Sequence, residues 1–191
     1  MPPKQRITKE ILLEHAFKIA ESQGIASVTS RSVAKAVGCS IQPVFTQFPT
    51  MEDLRKATFD YACDWMVREI LSCANEPDFL LRTVVWIINF AKQKPNLYRL
   101  IYLSDSFPND NLLNVLMKYK SIEKIIDKMA EKYVLNPEIC TDILFRCFLL
   151  LTGIGTMICV NHTDFSDIQV IDLISRTADD LVQGAKRTAL L

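Results

Sequence analysis

Apolar residues recur every three or four positions along most of this chain, which is the period of amphipathic helices. The most regular stretch lies past the middle, where apolar residues at alternating steps of three and four are separated by lysines and acids: Leu112, Val115, Tyr119, Ile122, Ile126, Met129 and Tyr133. That spacing predicts one helix with a buried stripe and a solvated face. With only five glycines among 191 residues, the periodicity predicts an all-α fold.

Proline and glycine divide the rest of the chain into further predicted helices. Their expected spans are Thr8–Gln23, Met51–Ala74, Asp78–Lys94, a short helix after Pro95, a helix opening at Asn136-Pro137, and a last one carrying Ile168 to Ala185. The helix after Asn136 becomes apolar nearly all round, so we expect it to be buried on more than one side. Ser104–Asn111 is the clearest loop, and Met1–Ile7 is predicted to be a disordered arm.

The stretch from Thr29 to Phe48 predicts two short helices joined by a tight turn. Thr29 is a suitable N-cap for the first helix, and Gly38 follows its last periodic residue, where helices often end in a left-handed conformation. Ser40 is predicted to cap the second helix, whose Val44 and Phe48 point into the core. A helix, a glycine turn and a second short helix form the helix-turn-helix pattern, whose second helix enters the DNA major groove.

The charge distribution agrees with a nucleic-acid partner for this stretch. No Asp or Glu occurs between Ser22 and Met51, whereas Arg31 and Lys35 do. Residues 1–50 carry six basic and three acidic side chains, although the whole chain has no net formal charge. A surface without carboxylates approaches phosphate groups without electrostatic repulsion.

The same stretch resembles the DNA-binding domain of the tetracycline-repressor (TetR) family over about the first quarter of the chain. The resemblance is carried by the order and spacing of Gly24, Thr29, Arg31, Val33-Ala34, Val37-Gly38-Cys39-Ser40, Val44-Phe45, Phe48-Pro49 and Glu52-Asp53-Leu54. It implies an all-α protein with a three-helix helix-turn-helix DNA-binding domain at residues 1–50. A helical ligand-binding and dimerisation domain would then occupy residues 51–191.

The resemblance also implies which residues meet double-stranded DNA. Thr29 and Arg31 would anchor phosphates, Gln42 would pair with adenine, Ile41 and Pro43 would touch thymine methyl groups, and Thr46 and Gln47 would reach phosphate. The full expected set is Thr29, Arg31, Ser40, Ile41, Gln42, Pro43, Phe45, Thr46 and Gln47. The alternative, that these are solvated helix residues, stays open.

Two positions depart from the family pattern. Phe45 stands where a tyrosine is usual, so a phenolic contact to phosphate is missing. Met51 stands where a lysine is common, so a positive charge is missing at the start of the next helix.

The second part of the chain is rich in aromatic residues, and in the family this part holds a small and often apolar ligand. The candidates for lining such a pocket are Trp65, Trp86, Phe90, Tyr98, Tyr102, Phe107 and Phe148. Core packing is the alternative for each of them. Arg146 stands among apolar residues, where it could meet an anionic ligand or a carboxylate across a dimer interface.

Other chemistry finds little support in the sequence. The chain has two histidines, no glycine-rich phosphate loop and no Cys-x-x-Cys, so we expect neither an enzyme nor a cofactor. Cys159, His162 and Asp164 would supply only part of a metal site, and no metal is expected. Without a secretory signal or paired cysteine spacing, the six cysteines are read as reduced thiols of a cytoplasmic protein with no membrane partner.

The sequence therefore favours a ligand-responsive transcriptional regulator, most simply a repressor, that binds a palindromic operator as a homodimer. The last two predicted helices carry more apolar surface than one small domain needs, and in the family such helices form a four-helix interface. The small-molecule effector is unknown. Two alternatives stay open: a helical DNA-binding protein without ligand sensing, and a helical bundle with a role unrelated to DNA.

Overall fold

The structure is a computed structural model that describes residues 7–72, 79–104 and 120–188. Every regular element in these ranges is helical, which confirms the predicted all-α class. The elements are α1 (Lys9–Gln23), α2 (Ser30–Val37), α3 (Gln42–Gln47), α4 (Met51–Leu71), α5 (Phe79–Gln93), α6 (Pro95–Tyr102), α7 (Lys120–Tyr133), α8 (Pro137–Asn161) and α9 (Asp167–Thr188), with a single 3-10 turn at Ile25–Ser27.

Some sequence-based expectations fall outside the described residues. They are the N-terminal arm with its basic residues, the predicted break at residues 75–77, most of the predicted loop at 104–111 with Phe107, and the first part of the helix predicted to start at Leu112. The part of that helix from Lys120 onward is present as α7.

The chain forms two compact units. The first contains residues up to Met66 and those from Lys94 to Asn109, and thus α1 to α3, most of α4, and α6. The second contains Val67–Gln93 and the residues from Asp110 onward, and thus α5 and α7 to α9. These units describe packing, in which α6 joins the N-terminal helices. The functional boundary between residues 50 and 51 stays a prediction.

Helix α1 begins and ends where the sequence predicts. The hydroxyl oxygen of Thr8 accepts a hydrogen bond from the backbone N–H of Ile11 at 3.4 Å, which satisfies one of the free amides of the first turn. At the other end Gly24 has a positive φ of 82°, and its N–H donates to the carbonyl of Ala20 at 2.9 Å. Glycine adopts that backbone conformation without steric cost.

Side chains of α1 to α4 and of the segments between them form much of the core of the first unit. Its fully or almost fully buried residues include Leu12, Ala16, Val28, Val33, Ala34, Val44, Phe48 and Leu54. Val44 and Phe48 are buried as predicted, so the inward face of α3 is confirmed. Burial of an aliphatic or aromatic side chain contributes about 1.5–3 kcal/mol, which is the main source of stability for these short helices.

Helix α6 is attached to the end of α1 by polar contacts. The amide of Asn96 donates to the backbone carbonyl of Glu21 at 3.1 Å, and the ammonium of Lys94 pairs with the Glu21 carboxylate. Lys94 also lies over the ring of Trp65, 5.6 Å from its centroid. Because one lysine meets both a carboxylate and an aromatic face, α1, α4 and α6 converge at this position.

The second unit is built around α8, which packs against α5, α7 and α9. Asn136 caps α8 by accepting from the N–H of Glu138 at 2.8 Å, and Pro137 occupies the first turn as predicted. The ammonium of Lys92 donates to the carbonyl of Phe165 at 3.0 Å and approaches Asp167 at 3.4 Å. These contacts hold the end of α5 against the turn that precedes α9.

Helix α8 is less buried than its composition predicts. Its inward residues include Ile143, Ile154 and Ile158, but Leu149, Met157 and Val160 are exposed on one stripe. Among the described helices, α8 is the one long and apolar enough to cross a membrane by length and composition, and a third of its most apolar window is buried. Because it also packs against three helices, its composition is that of a central bundle helix with one uncovered face.

Two helices end in the same backbone motif with different residues. At the end of α2, Gly38 has φ 77° and the N–H of Cys39 donates to the carbonyl of Ala34 at 2.9 Å. At the end of α7, Val134 has φ 56° and the N–H of the next residue donates to the carbonyl of Ala130 at 3.2 Å. Both are Schellman endings, which favour glycine at the left-handed position. A β-branched residue there is strained, and Val134 is also 86% exposed.

Replacing Val134 by glycine should stabilise the protein. Relief of left-handed strain is worth about 1–2 kcal/mol and exceeds the entropic cost of glycine, roughly 0.5–1 kcal/mol. We expect the free energy of unfolding, measured by urea titration, to rise by about 0.5–1 kcal/mol. The control is Leu103→Gly, at an exposed helix end with φ −124°, which should lower stability. A lower stability for Val134→Gly would show that the residue is not strained.

Candidate nucleic-acid interface

The start of α2 is closed by a capping box between Thr29 and Ser32. The N–H of Ser32 donates to the hydroxyl oxygen of Thr29 at 3.0 Å, and the N–H of Thr29 donates to the hydroxyl oxygen of Ser32 at 2.9 Å. The Ser32 hydroxyl also lies 2.7 Å from the carbonyl of Ser27, to which it donates. Two backbone amides that would otherwise lack partners are thereby satisfied, so the hydroxyl of Thr29 serves the helix start.

Helix α4 contributes two side chains to the same helix start. The sulfur of Met51 accepts a hydrogen bond from the N–H of Ser30 at 3.3 Å. The guanidinium Nε of Arg55 donates to the carbonyl of Val28 at 3.4 Å. Arg55 thus carries a positive charge one helical turn after position 51, where a lysine is common in the family. The spacing of four residues, which places both side chains on one face of α4, was the signal available in the sequence.

The turn into α3 differs from the prediction at Ser40. The N-cap of α3 is Ile41, and no side-chain oxygen caps the helix. A capping serine at position 40 would have to accept from the N–H groups two or three residues later. The residue three positions later is Pro43, which has no N–H, so only the N–H of Gln42 is available to a cap at Ser40. Ser40 is exposed in the turn, and Pro43 occupies the first turn of α3.

The outward face of α3 is exposed and carries no charge. Ile41 and Phe45 are 47% and 41% exposed, and Gln42, Thr46 and Gln47 are exposed as well. The hydroxyl of Thr46 donates to the backbone carbonyl of Gln42 at 2.9 Å, so it is held along the helix. The side-chain amide of Gln42, exposed on the same helix, can both donate and accept hydrogen bonds.

Cations occur on α2 and beside the end of α3. Arg31 and Lys35 of α2 are exposed, and the ammonium of Lys9 lies 5.4 Å from the ring centroid of Phe48, the residue that ends α3. Sequence reasoning did not assign Lys9 to the interface. Its cation–π contact brings an α1 side chain to the end of α3, and only the fold places these two residues together.

The nine predicted DNA-contacting residues lie on α2, the turn and α3, which are adjacent elements of the first unit. Seven of them belong to one segment, residues 40–47 except Val44, which forms the turn and α3. The other two, Thr29 and Arg31, lie at the start of α2. Their contact with DNA stays a prediction.

Three of the predicted ligand-binding aromatics lie in the first unit. The ring of Trp65 packs against Phe17 at a centroid distance of 5.4 Å, and Tyr98 and Tyr102 lie 4.6 Å apart. The Tyr102 hydroxyl donates to the sulfur of Met66 at 3.3 Å. Burial raises the pKa of the Tyr102 phenol well above its ordinary value, and Tyr98 adds to the effect. Tyr102 therefore stays protonated.

The remaining described candidates lie in the second unit. Trp86 stacks on Phe90 with centroids 4.9 Å apart and an interplanar angle of 23°, and Phe148 is half-buried on α8. Arg146 is paired within α8, because its Nε lies 2.8 Å from the carboxylate of Asp142. The sequence-based view of Arg146 as a charge isolated among apolar residues is therefore corrected. A ligand-binding role for the aromatic residues stays a prediction.

The remaining candidate groups are metal ligands and cysteine thiols. No group of three or more His, Cys, Asp or Glu side chains in those ranges is arranged to hold a metal ion. The cysteines described there are free thiols. Burial raises the pKa of Cys140 and of Cys147, which keeps both in the less reactive protonated form.

Comparison with known proteins places this arrangement in a known fold. No family model matches the sequence, and no curated protein matches it. A similar solved structure is that of the multidrug binding protein EbrR complexed with imidazole. The two chains are 15% identical, with a TM-score of 0.53 over 88% of this chain and 93% of that chain. The likeness shows the fold and confirms the TetR-like arrangement expected from the sequence.

The capping box predicts a measurable loss of stability for Thr29→Ala. Removal of an N-cap hydroxyl costs about 1 kcal/mol, so the midpoint of urea unfolding should fall accordingly. Ser30→Ala is the matched control, because Ser30 adjoins Thr29 but its hydroxyl takes no part in the capping box. Equal stabilities for the two variants would contradict the role assigned to Thr29.

Proposed function

We propose that this chain, which has a TetR-like fold, is a ligand-responsive transcriptional regulator that binds a palindromic operator as a homodimer. The observation that carries the proposal is the outward face of α3. This face is exposed and uncharged, and it belongs to the second helix of a helix-turn-helix whose first helix carries exposed Arg31 and Lys35. Such a face suits base edges, while the cations of α2 suit phosphates.

The DNA contacts follow from this geometry. Arg31, Lys35 and Lys9 contact backbone phosphates, and the guanidinium of Arg55 adds positive charge at the start of α2. Gln42 meets a base edge, and its side chain is suited to bidentate pairing with adenine. Thr29 acts mainly as the N-cap of α2 and less as a phosphate ligand, because its hydroxyl oxygen already accepts a hydrogen bond from the N–H of Ser32.

The exposed stripe of α8 supports a homodimer. Leu149, Met157 and Val160 follow one another along that helix at steps of eight and three, with Gly153 exposed between the first two. On α9, Ile168 and Leu173 are exposed too. Apolar side chains in this arrangement are typical of helices that pack against a partner helix. A second copy of the chain would cover them by two-fold symmetry.

A small-molecule effector would act by population shift. The solved neighbour is a multidrug binding protein complexed with imidazole. In this chain, the aromatic residues predicted to line a pocket would supply ring contacts to a small aromatic compound. A ligand that binds more tightly to a conformation unsuited to the operator would release the DNA, which corresponds to repression relieved by effector.

The alternatives predict different results. A regulator without ligand sensing would bind an operator but show no thermal stabilisation by any member of a panel of small apolar compounds. A helical protein with a role unrelated to DNA would retain no DNA from a random-sequence pool. We place the protein in the cytoplasm, where an operator and its regulator meet.

Operator selection from a random pool tests the proposal directly. Selected sites should be inverted repeats, because two α3 helices related by a two-fold axis enter successive major grooves about 34–36 Å apart. Gln42→Ala should weaken operator binding by about 1–3 kcal/mol and leave random DNA nearly unchanged. The measurement is a titration of wild type and variant on both DNAs at one salt concentration. Recovery of direct repeats, or an equal loss on both DNAs, would contradict the assignment.

The dimer interface predicts that Met157→Glu or Leu149→Glu gives monomers. Each change places a charge within the apolar stripe of α8. In the dimer a partner helix would exclude water from that charge and offer no counter-charge. Sedimentation at micromolar concentration should show a dimer for the wild type and a monomer for either variant, with loss of operator binding. Leu81→Glu, at an exposed leucine of α5, is the control and should stay dimeric. Ile174 is unsuitable for this test because it is buried within the subunit.

A further inference from the structure

Two large apolar side chains protrude from the same side of α3. Ile41 and Phe45 are four residues apart, and the N–H of Phe45 donates to the carbonyl of Ile41 at 3.2 Å, which places them one helical turn apart on one face. Both are more than two-fifths exposed. Their neighbours Val44 and Phe48 fill the core of the unit, so Ile41 and Phe45 are not needed to anchor α3.

Chemical complementarity selects one kind of base pair for this face. Guanine is read in the major groove chiefly by arginine or lysine, and α3 has neither. Thymine offers the only methyl group in the major groove, and adenine offers the donor and acceptor that pair with an amide side chain. Ile41, Phe45 and Gln42 therefore match A·T pairs and leave a G·C pair without a charged partner.

We propose that α3 reads A·T pairs through thymine methyl groups, with Ile41 and Phe45 contacting two methyl groups and Gln42 pairing with an adenine. This rests on the proposed function and goes beyond it by naming the bases. Side chains four apart on a helix are separated by about 5–6 Å, against a rise of roughly 3.4 Å per base pair. The two methyl groups thus belong to adjacent or next-nearest pairs. In this arrangement Phe45 takes the role that the family resemblance implied for Pro43, which is half-buried.

Charge favours DNA over a protein as the occupant of this face. The preceding helix α2 carries exposed Arg31 and Lys35, and no carboxylate occurs in the sequence from Gln23 to Thr50. A helix-turn-helix with cations on its first helix and apolar side chains on its second suits a polyanion whose groove exposes apolar groups. The major groove at thymine has this character, because phosphates flank the exposed methyl groups.

Removal of single methyl groups from DNA tests the proposal. In an operator obtained by selection, each thymine of the half-site is replaced in turn by deoxyuridine, which lacks only the methyl group. Wild-type affinity should fall about fourfold per buried methyl at two positions of the half-site and stay unchanged at the others. Replacing a cytosine placed at either position by 5-methylcytosine should raise affinity by a similar factor.

Protein variants assign each methyl group to a side chain. Ile41→Ala should abolish the deoxyuridine effect at one position and Phe45→Ala at the other, so that each variant binds the thymine and uracil operators equally there. Gln42→Ala is the matched control on the same face and should keep both effects. Because Ile41 and Phe45 are exposed, their alanine variants should unfold at the wild-type temperature, which thermal unfolding checks.

Each other outcome overturns a defined part of the proposal. Failure to select any operator would remove the proposed function itself. Operator binding that is insensitive to deoxyuridine at every position would leave that function intact and remove methyl recognition. If Phe45→Tyr instead strengthens binding to operator and random DNA alike, Phe45 lies against a phosphate, as the family resemblance implied, and its assignment to a methyl group is wrong. Loss of self-association in Phe45→Ala would make this face a contact between copies.

Discussion

A helix of six residues is not stable by itself in water, because nucleation costs more than its few hydrogen bonds return. Helix α3 therefore depends on the burial of Val44 and Phe48 in the core of the first unit. That burial also determines orientation, since residues that cannot turn inward must face out. The exposure of Ile41, Gln42 and Phe45 follows from the packing of their neighbours. The candidate interface is therefore the face of α3 other than the one that Val44 and Phe48 bury in the core.

The start of α2 depends on the same unit in a different way. Its amides donate to the Thr29 and Ser32 hydroxyl oxygens and to the sulfur of Met51. The guanidinium of Arg55 donates a hydrogen bond to the carbonyl of Val28, just before this helix. A helix end with its own partners is held rigidly, which suits a surface that must match phosphate positions. Position 51 has methionine where the family commonly has lysine. The helix start is therefore contacted there by an uncharged sulfur, while Arg55 carries a positive charge nearby.

Helix α8 shows the opposite situation. Three helices pack against it, yet Leu149, Met157 and Val160 remain uncovered, and the long apolar run in its sequence does not reveal which side stays open. Periodicity indicates that a helix is apolar all round, but the number of its neighbours depends on how α5, α7 and α9 are arranged. The uncovered side is the reason that a second copy of the chain enters the proposed function.

Local physics allowed the sequence to determine the helical character of the chain and several of the helix ends. Gly24 and Gly38 terminate helices because they adopt positive φ readily, Thr29 and Asn136 begin them, and the order of residues in the helix-turn-helix is enough to show the resemblance to the TetR family. The tertiary structure decided what depends on distant residues. It brought Lys9 to Phe48, Arg55 to Val28 and the sulfur of Met51 to the N–H of Ser30. Such contacts depend on helix packing and on rotamers that adjacent residues do not specify, so only the folded chain reveals them.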